Sequence, residues 1–277
     1  MIETTQISTI QRTLATAAFG NEPGTWPLPA ASTPHQLWLR AVASGGQGRY
    51  GSAYADLAAL RRAPAGPRLV SLAHSTQGSL LRQLGWHTLA RGWDGRALAL
   101  AGANPEARAD ALIGLAADAL GVGRFAPAAA LLTRADAALA AAELPDNAAE
   151  RLAVRRRWVG AELAMAAGDG ATAVRHAEEG VERAMASTSV RHQVKSDVVL
   201  SAALCTAGAA ERARAVAQTA LEATGRYGLT PLRWALACLL IDIASVTVSV
   251  QQLRELTQIR DICAGQVRHA GGIWHTA

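Results

Sequence analysis

The sequence predicts an all-α fold of stacked, antiparallel helix hairpins, and three observations carry that expectation. Half of the 277 residues are apolar, yet only 4 % are aromatic, and most of the apolar share is Ala and Leu, the strongest helix formers. No run alternates apolar and polar residues long enough to make a half-buried strand, and β-branched residues cluster only briefly, at Val246-Thr247-Val248-Ser249-Val250. Five glycines, Gly48, Gly85, Gly123, Gly168 and Gly208, follow one another at intervals of 37, 38, 45 and 40 residues, each between two stretches of helical periodicity.

The first helix is expected over 5–18, ahead of a connector at 20–34 that Pro23, Pro27, Pro29 and Pro34 keep extended. Helices follow at 35–45 and 49–62 on either side of Gly48, at 68–83 and 86–101 about Gly85, and at 105–121 and 124–141 about Gly123. Pro127 falls in the first turn of the last of these, where a missing N–H does no harm. The spacing continues with 147–167 and 170–186 about Gly168, then 189–207 and 209–224 about Gly208, with Gly102 and Gly225 ending two of the helices. A final pair, 230–245 and 250–268, with the tail Gly271-Gly272-Ile273-Trp274, reads as a terminal cap. The chain thus divides into an N-terminal helix and connector (1–34), five hairpins (35–226) and a capping hairpin with its tail (227–277).

Alignment on the five glycines brings out two columns of small residues. Five positions after each glycine stand Ala53, Ala90, Ala128, Ala173 and Ala213, and seven positions before stand Ala41, Gly78, Ala116, Ala161 and Ser201. Two antiparallel helices joined by a tight turn approach closely only where the facing residues are small, and glycine supplies the unusual backbone that ends the first helix. With Gly123-Arg124-Phe125-Ala126-Pro127-Ala128 followed by Leu132 and Ala135, and Gly48-Arg49-Tyr50-Gly51-Ser52-Ala53 followed by Leu57 and Leu60, residues 34–226 resemble tetratricopeptide repeats. His87, Gly170 and Ala210 replace the aromatic after the glycine in the other three copies, and the closing proline is absent. The resemblance is therefore to a class of helical repeats and to no single member. It implies a right-handed superhelical α-solenoid of some six hairpins whose first helices line a concave groove.

Carried over residue by residue, the groove positions of that family lie thirteen, ten, six and three residues before the turn glycine. The resemblance places Arg155, Trp158, Glu162 and Met165 there in the fourth copy, and Lys195, Val198, Ala202 and Cys205 in the fifth. The second copy adds Ser75, Ser79 and Arg82, the first His35 and Trp38, while Arg151 and Arg191 lie one helical turn earlier on the same faces. A cationic rim around a tryptophan suits an acidic or carboxylate-terminated peptide, because Arg bonds carboxylates in bidentate fashion and Trp supplies apolar area. In the competing reading Arg151 to Arg157 form a solvated helix face and Trp158 is core. Trp86, Trp93 and Trp234 are assigned to packing between hairpins.

Other chemistry finds little support. The net charge is +5 and the sequence pI about 9.7, but Lys195 is the only lysine, and an arginine-rich composition is also what a GC-rich coding sequence produces. Direct contact with nucleic acid is not expected. Cys205, Cys238 and Cys263 are odd in number, widely spaced and read as reduced core thiols; with no H-E-x-x-H string, neither a metal nor a cofactor is expected. Gly46-Gln47-Gly48-Arg49-Tyr50-Gly51 fits G-x-G-x-x-G, but it follows a helix where a dinucleotide site needs a strand, so it reads as a repeat turn, as does Gly121-Val122-Gly123. His176 beside Glu178 and Glu179 reads as an exposed face, and His74-Ser75 lies inside a helix with no G-x-S-x-G string in the chain, so no catalytic residue is assigned.

Met1 to Thr5 show no secretory pattern, and Arg233 and Asp242 interrupt the apolar stretch 229–250, so a cytoplasmic location without a membrane span is expected. The leading functional expectation is a non-enzymatic adaptor, bacterial in style, that holds a protein segment in its groove. A transcription-associated or sensory module acting through a partner protein is the second, and an enzyme with a dispersed site the third. A homo-oligomer is left open.

Overall fold

The computed structural model describes the backbone of residues 2–140, 144–244 and 249–275. Every regular element among them is a helix: α1 (Ile2–Phe19), α2 (Pro34–Gly46), α3 (Tyr50–Arg62), α4 (Pro67–Gln83), α5 (His87–Ala101), α6 (Pro105–Gly121), α7 (Phe125–Ala140), α8 (Asp146–Ala166), α9 (Gly170–Ala186), α10 (Val190–Thr206), α11 (Ala210–Arg226), α12 (Thr230–Asp242) and α13 (Val250–His269). The expected ends at 141 and 245, and Val246 to Val248 of the β-branched cluster, lie outside the described residues. No helix among the described residues is long and apolar enough to cross a membrane.

Local chemistry starts these helices where they start. Thr33 and Gln36 form a reciprocal capping box ahead of α2, and Ser249 and Gln252 do the same for α13. Asn104 accepts the Ala107 N–H at 3.0 Å and is followed by Pro105, while Asp169 accepts the Thr172 N–H at 3.0 Å at the head of α9. The five turn glycines all take the left-handed backbone, with φ between +74° and +87°. Gly225 does not end α11. The helix runs on to Arg226 and turns at Gly228 (φ +63°), and Gly225 instead makes room for the Arg233 guanidinium, which a Cβ there would strike.

Both small-residue columns are buried. Ala53, Ala90, Ala128, Ala173 and Ala213 have no exposed surface, nor do Ala41, Ala116, Ala161 and Ser201. In the fifth pair the two columns bond directly, the Ser201 hydroxyl donating to the Ala213 carbonyl at 2.7 Å. Consecutive helices pack as pairs, and the even-numbered ones also pack side by side from α2 to α12. They carry most of the buried side chains, whereas α5, α7, α9 and α11 each bury one stripe and expose the rest.

The last pair meets the first. Val267 of α13 belongs to the core built by α1 to α4, and the Gly51 N–H donates to the Ala270 carbonyl at 2.8 Å. The tail continues along the next turn, where the Trp86 Nε1–H donates to the Ile273 carbonyl at 2.7 Å and the His275 N–H to that of Leu84 at 2.8 Å. Trp274 packs on Trp234 with ring centroids 4.3 Å apart. On the other side the connector closes the gap: the Gln47 amide donates to the carbonyls of Pro23 and Thr25, both at 2.9 Å, Gly24 abuts Tyr227, and the Val190 N–H donates to the Gly20 carbonyl.

Close packing at the small columns is open to direct measurement. Ala213→Leu should lose about 1–3 kcal/mol by overpacking, read as a lower midpoint in thermal unfolding by circular dichroism, whereas Ala215→Leu on the exposed face of the same helix should leave the midpoint unchanged.

Candidate functional site

The inner faces of the even-numbered helices surround a cavity of about 540 Å³ to which all six contribute, with Phe19 at the end of α1 and His87 at the start of α5. Where the family resemblance implies a groove, the described residues line a chamber that is partly enclosed. The cause lies in the contacts between the first and last pairs and in α1, which packs on α2 and reaches α10 across the inside.

The chamber is lined by cations, and all but one are matched by carboxylates. Arg151 on α8 donates to Glu106 at 3.0 Å and lies 3.3 Å from Asp110, which also pairs with Arg155 one turn on. Lys195 lies 3.5 Å from Glu162. Arg82 is held between Asp94 and Asp118, the latter at 2.7 Å. Asp94 belongs to the outer helix α5 and reaches Arg82 through a gap left by two glycines: a Cβ on Gly78 or on Gly114 would stand 2.6 Å from its carboxylate. Burial lowers the affinity of Arg82 for its proton, but the two carboxylates outweigh this and the group is raised above its ordinary value. Burial pushes the Asp94 carboxyl up to about 7, against the pull of Arg82 and with the help of Asp118. Asp118 is raised as well, chiefly by burial.

Arg191 on α10 is the exception. No hydrogen bond or ion pair engages it among the described residues, and its Nε is fully buried without a partner. Burial and the neighbouring Arg151 lower it to about 10. Its stem passes over Gly46 at the end of α2, where a Cβ would come within 2.8 Å of Arg191 Cδ. Two further lining groups, Ser75 Oγ and His87 Nδ1, are also buried without a hydrogen-bond partner. Around them stands an aromatic wall: Phe19 and Trp38 are 5.3 Å apart, and Trp158 stacks on His192 at 5.3 Å with its indole N–H donating to Ser196 at 2.8 Å. Burial, with Arg191 and the other nearby arginines, holds His192 well below its ordinary pKa, so the ring is neutral.

Of the residues assigned from the sequence, Arg82, Arg151, Arg155, Trp158, Glu162, Arg191, Lys195 and Trp38 come together around this cavity, with Ser75 and Ser79. Val198 does not: it is buried against Ala217, Leu236 and Leu240 in the packing of α10 on α11 and α12. Met165 and Cys205 pack in the core of α8 to α11, and His35 lies against Trp38. The arginine run divides, because successive helical residues point about 100° apart. Arg151 and Arg155 face inward, while Arg156 turns to Asp136 at 2.7 Å and Arg157 to Glu179 at 3.0 Å on the outer helices. Trp86 meets the tail at Ile273 and His275, Trp93 faces His74 of its own pair and Arg61 of the pair before, and Trp234 both packs on Trp274 and lines the cavity.

The sequence reading missed Phe19, His87, His192 and the carboxylates Asp94, Asp110, Asp118 and Glu106. Two of them stood in the register already applied to the other copies, Asp110 thirteen residues before Gly123 and Glu106 one helical turn earlier; Asp118 falls between its positions, and Asp94 stands on a second helix and reaches inward only through the glycine gap.

The G-x-G-x-x-G string lies in the turn between α2 and α3, with Gly46 against Arg191 and Gly51 against Ala270, and no strand precedes it. His74 Nδ1 lies 2.8 Å from the Val70 carbonyl and its ring faces Trp93, so it makes no pair with Ser75. No three His, Cys, Asp or Glu side chains among the described residues are placed to hold a metal ion. No family model matches the chain, and none of the curated proteins matches it.

The buried triad makes stability depend on pH. Because Asp94 is raised from 3.8 to about 7, the folded chain keeps a proton that the unfolded chain releases, and this contribution is full below about 4 and fades as pH rises through 7. The lowered histidines, His192 among them, contribute in the opposite sense as pH rises through their unfolded value of 6.5, so the triad is read as a difference: in urea denaturation between pH 4 and 8, the stability of the parent relative to Asp94→Asn, which mimics the protonated carboxyl, should fall as pH rises.

Proposed function

We propose that the chain is a closed solenoid of tetratricopeptide-like hairpins and a non-enzymatic binding protein, whose interior takes the carboxylate end of a partner's polypeptide. The observation that carries this reading is Arg191. A half-buried guanidinium whose Nε is sealed off and which no carboxylate meets among the described residues is costly to hold, and a ligand carboxylate would meet its N–H groups in the fork geometry that Arg favours. The other cations are already neutralised, so the chamber offers one strong anion position instead of a general basic surface. Trp38, Trp158 and Phe19 supply the apolar contact that a terminal side chain would bury. An end suits the chamber better than a through-running segment, since α1 and the contacts between the first and last pairs occupy what an open groove would leave free. Ser189 Oγ lies 2.6 Å from His192 Nδ1, but only the histidine lines the cavity, and Ser75, which does line it, has no hydrogen-bond partner among the described residues; this arrangement supports binding over catalysis.

A second reading, a sensory module for a small anion, is favoured by the cavity volume, which lies inside the range of roughly 300–1,000 Å³ typical of small-ligand pockets.

Intrinsic tryptophan fluorescence, with Trp38 and Trp158 in the wall, reports on both. Titration with a library of short peptides should show binding of free carboxyl termini and a loss of at least tenfold for the same peptides amidated, with Arg191→Gln causing a similar loss, as expected for one charge-assisted hydrogen-bonded contact of about 1.5–3 kcal/mol. Saturable binding of benzoate or phenyl phosphate without any peptide preference would move the conclusion to the sensory reading. Peptide affinity indifferent to both amidation and Arg191→Gln would remove the site.

A further inference from the structure

Helix α13 turns one continuous stripe away from the rest of the chain. Val250, Leu253, Arg254, Thr257, Gln258, Asp261, Ile262 and Gly265 succeed one another at alternating steps of three and one, so each has neighbours three or four residues away, which places them on one face. Leu256, Cys263 and Val267 face the fold instead. The stripe is apolar where a surface helix has no internal reason to be: Val250, Leu253 and Ile262 are 68, 39 and 51 % exposed. A Cβ at Gly265 would meet nothing within 4 Å. Arg254 makes no ion pair among the described residues, and Asp261 is met only by its neighbour Arg260 on the same turn.

We infer that this stripe is an interface for a second copy of the chain, α13 lying antiparallel on α13 about a twofold axis that passes beside Thr257 and Gln258. In a twofold contact each pair occurs twice and its members stand equally far from the axis. Residues equidistant from the point between 257 and 258 are complementary throughout. Leu253 meets Ile262 of the second copy, Arg254 meets Asp261, and Val250 comes to rest over the open backbone at Gly265. Parallel pairing would instead oppose Arg254 to Arg254 and Asp261 to Asp261, so the charges select the antiparallel arrangement. The stripe carries one cation and one anion, a balance that gives an anionic membrane surface no hold on it. This interface is independent of what the cavity binds.

One helix on one helix over sixteen residues spans about 22 Å and falls below the roughly 1,200 Å² of standard interfaces. The dimer is therefore a weak one, populated at concentrations of about ten micromolar and above. Sedimentation velocity of the full chain from about 1 to 300 µM should show a monomer–dimer equilibrium within that range. Leu253→Glu should leave only monomer. Arg254→Asp and Asp261→Arg, each placing like charges opposite one another twice, should each weaken the dimer at least about tenfold, and the double variant should recover to within about threefold of the parent chain. All these positions are exposed, so circular dichroism should be unchanged in every variant. A chain that stays monomeric throughout, single variants that dimerise as the parent does, or a double variant that fails to recover would each overturn the interface.

Discussion

How near two helices of a pair can come is set by ten small residues, and the rest of the structure depends on it. Where Ala53 and Ala41, or Ala213 and Ser201, stand in their pairs with no exposed surface, the backbones approach closely enough for the Ser201 hydroxyl to reach a carbonyl on the next helix. Close pairs in turn allow the even-numbered helices to lie side by side, and six of them in sequence carry the chain round until α13 joins the core of the first pairs. A larger residue at these positions would separate the partners and change the curvature on which that meeting relies.

Closure changes the chemistry of the inner surface. Arginines on an open face would be solvated and would need no partner within the chain. Inside a chamber each must be matched, and Glu106, Asp110, Asp94, Asp118 and Glu162 do so for four of the five cations. The matching fixes Arg82, Arg151 and Arg155 in place, which makes them walls. Arg191, admitted past Gly46 with its Nε buried, meets no carboxylate among the described residues.

Much of the secondary structure was legible. Positive-φ glycines at a forty-residue interval, Ala-rich flanks and prolines at the first helical position are all local signals, and α6 and α9 run between the ends they indicate. Gly225 failed as a signal because glycine serves two ends: it terminates helices, and it lets a side chain pass. Gly78, Gly114 and Gly46 serve the second, and sequence alone does not separate the two uses. Arg156 and Arg157 likewise needed the structure, since which of the three adjacent arginines at 155–157 faces inward depends on the rotation of α8 against its neighbours.

The sequence by itself determined the helices, the turns between them and the faces on which small residues meet, because each of these follows from interactions between residues close along the chain or from a repeated spacing. Only the tertiary structure decided that the inner face is a partly enclosed chamber, that Asp94 reaches Arg82 from an outer helix, and that Arg191, alone of the five lining cations discussed, has no counter-charge among the described residues. Those facts depend on how small angles between successive pairs add up over the whole chain until α1, the connector and the tail meet, and no single stretch of sequence carries that sum.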